Sequence, residues 1–95
     1  MAKDAGVRSI YDLRNFGKQV QQMGKEMYNV MTHAQQRMNY VSAGWHDEIN
    51  EKFKDRFNES VQMIKRMSDE FQQYNEYLQR QCDILDQYKS NKLNI

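Results

Sequence analysis

His46-Asp47-Glu48 is the one place in the 95 residues where a histidine stands directly beside two carboxylates. That trio raises general acid–base or metal chemistry. Helix geometry argues against both. Consecutive residues on a helix point about 100° apart, so three in a row cannot converge on one ion. The zinc-protease spacing H-E-x-x-H is absent, because Asn50 stands four residues after His46. Asp47 and Glu48 read instead as first-turn acids that complement the positive end of a helix dipole. A site built from His33 and His46 lacks a clear third ligand. The single cysteine, Cys82, excludes an internal disulfide and a Cys-based zinc site. It falls on an apolar ladder with no histidine within a few turns, so a buried thiol is expected rather than a nucleophile. There is no Gly-rich phosphate loop, and Lys and Arg are scattered rather than arrayed with aromatics. No catalytic residue, metal or cofactor is expected.

The elements that would hold these residues are long helices. The chain has no Pro, four Gly and many Gln, Asn, Lys, Glu and Met, with 39% hydrophobic and 28% charged residues. Most of these are good helix formers. "SIYD" at Ser9 reads as a capping-box-like start. Apolar residues then recur at Leu13, Phe16, Val20, Met23, Met27, Val30, Ala34 and Val41, mostly three or four apart. With Leu13 at heptad position a, these are the a and d positions. The e track beside them reads Ile10, Gly17, Gly24, Met31, Met38. Two glycines seven apart in a helix cost up to about 1 kcal/mol each, and they read either as tolerated surface glycines or as a groove where another helix backbone comes close.

A second ladder runs Ile49, Phe53, Phe57, Val61, Ile64, Met67, Phe71, Tyr74, Leu78, Cys82, Leu85 and Tyr88. From Ile49 to Val61 every step is four, which drifts off a strict heptad. These patterns predict one all-α domain over residues 1–95, an antiparallel two-helix hairpin. Helix one covers about 9–40, the turn about 41–45 and helix two about 46–89, with a frayed tail. The turn stretch Ser42-Ala-Gly-Trp-His-Asp-Glu48 contains Gly44 and the only tryptophan, Trp45. Pairs such as Glu51/Asp55 and Asp83/Asp86, interspersed with Lys and Arg, read as a solvated face.

The apolar surface is wider than one helix–helix seam needs. Met63, Tyr77 and Ile84 flank the second ladder, and Met31 and Met38 flank the first. A second hairpin covering this stripe would make a four-helix bundle. The interface residues expected for the hairpin and its pairing are Leu13, Phe16, Gly17, Val20, Met23, Gly24, Met27, Met31 and Met38 on helix one. On helix two they are Phe53, Phe57, Ile64, Met67, Phe71, Tyr74 and Leu78. Net charge is +1: residues 1–44 hold six Lys/Arg and three acids, and residues 45–95 hold eight and ten. Nothing in that balance points to nucleic acid. No apolar run reaches the length of a membrane span. The opening Met-Ala-Lys-Asp-Ala-Gly-Val lacks the apolar core of a secretory leader. Synthesis in the cytoplasm is therefore expected, with any export by a route that needs no such leader.

The hairpin pattern with Trp45 at its turn resembles the WXG family of small type VII secretion substrates, the early-secreted-antigen-like proteins. Trp45-His46-Asp47 occupies the place of Trp-x-Gly, with Val41 before it and Phe53 eight residues after it. Asp47 stands where the family has glycine. The family's Tyr-x-x-x-Asp/Glu export signal is not matched, because Tyr74, Tyr77 and Tyr88 are followed four residues on by Leu78, Gln81 and Lys92. The resemblance implies a non-enzymatic protein that acts as a homodimer or heterodimer of hairpins, either secreted itself or co-secreted with a partner. The alternative is a cytoplasmic adaptor or chaperone that holds an amphipathic helix of a client.

Overall fold

The computed structural model describes the backbone of residues 2–93 and the side chains of residues 10–90. Within them the chain forms two long helices packed against each other, α1 (Ala2–Ser42) and α2 (Glu48–Leu93), and no strand. The backbone is already helical at Ala2, so the first helix begins before Ser9. The side chain of Ser9, and the capping role expected of it, lie outside the described residues. The backbone of α2 stays helical through Leu93, and the last two residues of the tail lie outside the description. No described helix is long and apolar enough to cross a membrane.

The chain divides into two compact bodies. The terminal body comprises Met1–Gln22 and Phe71–Ile95, and the turn body comprises Met23–Glu70. In the terminal body the inner face of α1 carries Ile10, Leu13, Arg14, Gly17, Val20 and Gln21, each buried or half-buried. The inner face of α2 carries Phe71, Asn75, Leu78, Gln79 and Cys82. Gly17 is the contact point. A Cβ placed on it would lie 2.6 Å from Asn75 Oδ1 and 3.4 Å from Asn75 Cα. A side chain there would leave the α2 backbone in contact distance but would push the Asn75 side-chain oxygen from its place. Cys82 is fully buried, and its thiol faces the Ile10 carbonyl at 3.7 Å.

In the turn body the α1 stripe continues through Gly24, Met27, Met31, Ala34 and Met38 to Ser42. It faces Asn50, Phe57, Val61, Ile64 and Met67 of α2, with Phe57 stacked at a tilt on Phe53. Val61 is buried at the centre of that stripe.

These faces set the rotation of each helix, and it differs from the ladder expected above. The inner tracks of α1 are the Leu13 track and the glycine track beside it. The other ladder track, Phe16, Met23 and Val30, points outward, with 56%, 49% and 65% of each residue exposed. On α2 the inner tracks are Asn50-Phe57-Ile64-Phe71-Leu78 and Lys54-Val61-Ser68-Asn75-Cys82, two sevenfold series with no drift. Ile49, taken as the head of the second ladder, is exposed, and the buried residue is its neighbour Asn50. Phe53, Tyr74 and Tyr88 likewise face outward.

Each body therefore has two unlike flanks. In the terminal body one flank is polar. Arg14 donates to Gln79 Oε1 at 2.9 Å and pairs with Asp83 and Asp86 at 2.6 and 2.8 Å. Asp83 and Asp86, read from sequence as a solvated face, thus anchor the arginine of the other helix. Gln79 donates to the Arg14 carbonyl at 3.0 Å and to Asn75 Oδ1 at 2.9 Å, while Asn75 donates to Gln21. In the turn body one flank carries the Gln35–Asn58 bond at 2.8 Å. In an antiparallel helix pair, flanks that meet on one side leave the opposite flanks of both helices together on the other. That other side is apolar: Phe16 with Tyr74 and Tyr88 in the terminal body, and Met23 and Val30 with Phe53 in the turn body.

Two glycine substitutions separate close approach from tolerance. Gly17→Ala gains helix propensity of about 1 kcal/mol but drives Asn75 off its bonds to Gln21 and Gln79. We expect a net loss of about 1–2 kcal/mol in urea denaturation followed by circular dichroism. Gly44→Ala meets nothing within 4 Å and requires no left-handed backbone. It should change stability by less than about 0.5 kcal/mol.

Candidate interaction site

The turn lies wholly within the turn body and is built from short local bonds. Helix α1 ends as the Ala43 amide donates to the Tyr40 carbonyl at 3.4 Å and the Trp45 amide donates to the Ser42 carbonyl at 3.0 Å. These bonds satisfy carbonyls that the last helical turn would leave unpaired. The chain then enters α2 through Asp47. Its Oδ1 accepts the Asn50 backbone N–H at 2.9 Å, and its own carbonyl accepts the Glu51 N–H at 3.1 Å. Asp47 is thus the N-cap, one residue before the helix begins. Glu48 and Glu51 supply acids in the first turn.

Asp47 has a second task. Its Oδ2 accepts the indole N–H of Trp45 at 2.6 Å. Asn50 closes the loop by donating from its side-chain amide to the Trp45 carbonyl. One carboxylate therefore caps the helix and orients the only tryptophan. A glycine at position 47 could do neither. Asn50 is 1% exposed, and its Oδ1 has no partner among the described residues. The Asp47 carboxyl is held below the usual carboxylate value, first by the Asn50 N–H and next by the Trp45 indole.

Trp45 remains 46% exposed and forms one wall of an open apolar cleft of about 280 Å³. Ala34, Met38, Val41 and Phe53 form the rest of the apolar lining, and Arg37 stands at the cleft as a cation. Arg37 and Phe53 belong to the outward flank tracks, so the cleft is where the apolar flank of the turn body reaches the turn. Such a surface offers apolar contact area and one fixed aromatic ring. It supports binding, and no nucleophile–base pair is assembled in it.

The structure sorts the residues expected at the site. Gly44 is exposed, Trp45 is half-exposed beside the cleft, and Asp47 is the cap. Leu13, Gly17 and Val20 lie in the inner stripe of the terminal body with Phe71 and Leu78. Gly24, Met27, Met31 and Met38 lie in that of the turn body with Phe57, Ile64 and Met67. Phe16, Met23, Phe53 and Tyr74 lie outside the stripe, on the outward flank. His33 and His46 are exposed, and no group of His, Cys, Asp and Glu able to hold a metal ion occurs among the described residues. Asn50, Asn75, Gln79 and Arg14 were not anticipated. Their signal was positional: Arg14, Asn75 and Gln79 each stand three or four residues from an apolar residue of the inner stripe, and Asn50 stands seven before Phe57.

Because Trp45 is the only tryptophan, its emission reports the turn directly. A carboxylate with a depressed folded pKa contributes stability that is complete above its unfolded pKa and is lost as pH falls through the folded one. Trp45 emission should therefore hold steady through the ordinary aspartate pKa of about 3.9 and shift only at lower pH. Asp47→Ala should abolish this transition and lower the thermal midpoint. Asp47→Asn should keep part of the cap but not the charge. A transition at the ordinary carboxylate pKa would show that the indole and amide bonds do not hold Asp47. Comparison of the chain with protein families, with curated proteins and with solved structures finds no match.

Proposed function

We propose that the chain is a non-enzymatic interaction protein that works as one member of a pair of helical hairpins. In this reading its role is linked to secretion, as a dimeric exported protein or as the co-secreted partner of one, as its resemblance to WXG substrates implies. One observation carries the pairing: each helix presents a third apolar track, beyond the two that the hairpin itself uses. A helix in an isolated two-helix seam needs two apolar tracks in seven positions, whereas a helix inside a four-helix bundle needs about three. The secretion link rests on Trp45 in the turn and on the hairpin pattern around it. Because no Tyr-x-x-x-Asp/Glu follows any described tyrosine, the pairing member would supply the export signal.

The cleft beside Trp45 favours a second reading, in which a cytoplasmic adaptor grips an apolar helix of a client there. The two separate experimentally. A tagged chain is followed in its own host with the secretion ATPase intact and deleted. Export predicts tagged protein in the medium that disappears with the ATPase. Retention in cells under both conditions, with one stoichiometric client, selects the adaptor. Light scattering on the purified chain, mixed with any neighbouring hairpin protein, should give a mass near twice 11.5 kDa. A well-folded monomer under every mixture would rule out pairing.

A further inference from the structure

We infer that the cleft beside Trp45 is a seat for a polypeptide C-terminus, an extended chain end whose last residue is large and apolar. The inference narrows the adaptor reading above and rests on it only in taking the cleft as a binding surface. Every residue it uses lies between positions 34 and 53, within the turn body.

The hairpin leaves three features of the cleft unanswered. The first is a buried acceptor. Asn50 lines the cleft and is 1% exposed, yet its Oδ1 has no donor among the described residues. Turning the amide over does not help. Its Nδ2 donates to the Trp45 carbonyl, and a flipped amide would set oxygen against oxygen. An acceptor left in this state is destabilising, and an incoming N–H relieves it. The second feature is a cation. Arg37 makes no ion pair or hydrogen bond among the described residues, and the cleft lining contains no acid. Asp47 does not serve, because its two oxygens are committed to the Asn50 N–H and the Trp45 indole. The third feature is the apolar wall of Met38, Val41, Trp45 and Phe53.

One occupant must therefore bring an N–H donor, an anion and an apolar body. Its size is set by the cleft. About 280 Å³ has room for about nine water-sized groups at ~30 Å³ each, the bulk of one large apolar residue with its carboxylate. A client helix laid across the cleft would supply the apolar body alone. The N–H groups of its interior are bonded to its own carbonyls, so Asn50 Oδ1 would stay without a donor. A free small molecule is poorly served too. Small-ligand sites enclose most of their ligand, and this cleft is open. The last residue of an extended chain brings all three groups together. Its side chain meets the apolar wall, its N–H serves Asn50, and its terminal carboxylate pairs with Arg37.

The test titrates the full chain with acetyl-glycyl-glycyl-leucine bearing a free carboxylate, followed by emission of Trp45, the only tryptophan. Binding should be saturable. The same peptide with an amidated end should bind about three- to fivefold more weakly, the range of an exposed ion pair. Arg37→Gln should erase that difference, with the helical circular dichroism unchanged because Arg37 is exposed. Ending the peptide in alanine should weaken binding about tenfold. Replacing the leucine N–H by an ester oxygen should weaken it about fivefold or more, since Asn50 then loses its donor. That arm alters the ligand and leaves Asn50, which also holds the turn, in place. Equal binding of carboxylate and amide, or of N–H and ester, overturns the chain-end seat. Acetyl-leucine binding as tightly as the longer peptide overturns the polypeptide in favour of a small acid. If the peptide leaves Trp45 unmoved while an amidated amphipathic helix titrates it, the chain end is wrong and the adaptor reading stands. If neither moves Trp45, both fall.

Discussion

The close approach at Gly17 governs what the terminal body presents to solvent. With no side chain there, α2 settles against the α1 backbone, and Asn75 comes within reach of Gln21 and Gln79. Gln79 in turn reaches the Arg14 carbonyl and side chain. These bonds are directional, so they fix the rotation of each helix about its axis in a way that apolar contact alone would not. Once the rotation is set, Phe16, Tyr74 and Tyr88 have nowhere to go but the opposite flank. The outward apolar face is the consequence of a polar lock on the other side.

Arg14 shows how such a lock is held near solvent. It pairs with two aspartates and a glutamine at once, and Asp86 and then Asp83 push its guanidinium pKa further up. An exposed ion pair on its own contributes little. Here the planar fork also bridges two helices, and the amide ladder beside it is half-buried. What it provides is register: sliding α2 by one turn would break the Arg14 pairs together with the Asn75–Gln21 and Gln79–Arg14 bonds.

The hairpin was legible because helix formation leaves a strong mark. Proline is absent on both sides of Ser42–Glu48, and apolar residues recur mostly every three or four positions. The turn was legible too, from Gly44, Trp45 and the acids after it. Rotation was not. Hydrophobicity ranks Phe16, Met23 and Val30 above Gly17, Gly24 and Asn75, so a reading by apolar content places the first three inside. Packing ranks them the other way, since the helices must be close before anything is buried. Ile49 and Asn50 repeat the lesson at one residue's distance. Isoleucine looks like the start of the ladder, yet Asn50 is the residue the Asp47 cap draws inward, three positions after it. The Asp47–Trp45 bond was hidden for a different reason: it needs the actual loop path, which spacing does not contain.

Polar residues inside and apolar residues outside look like an inverted hairpin, but the inversion is consistent if the hairpin is half of something. Two helices alone enclose little apolar surface, and among the described residues Val61 and Cys82 are the buried hydrophobic side chains. Directional bonds can hold such a pair in one register while leaving its larger apolar residues for a later contact. If those residues were turned inward instead, the hairpin would have a better core and no adhesive face. That division, with amides and Arg14 setting geometry and aromatic and Met side chains left outward, would suit the paired hairpin proposed above. Trp45 extends that division to the turn. Its N–H is committed to Asp47, so its orientation is set in advance, and its ring face is kept beside the cleft, where a partner can use it without the entropy cost of ordering it.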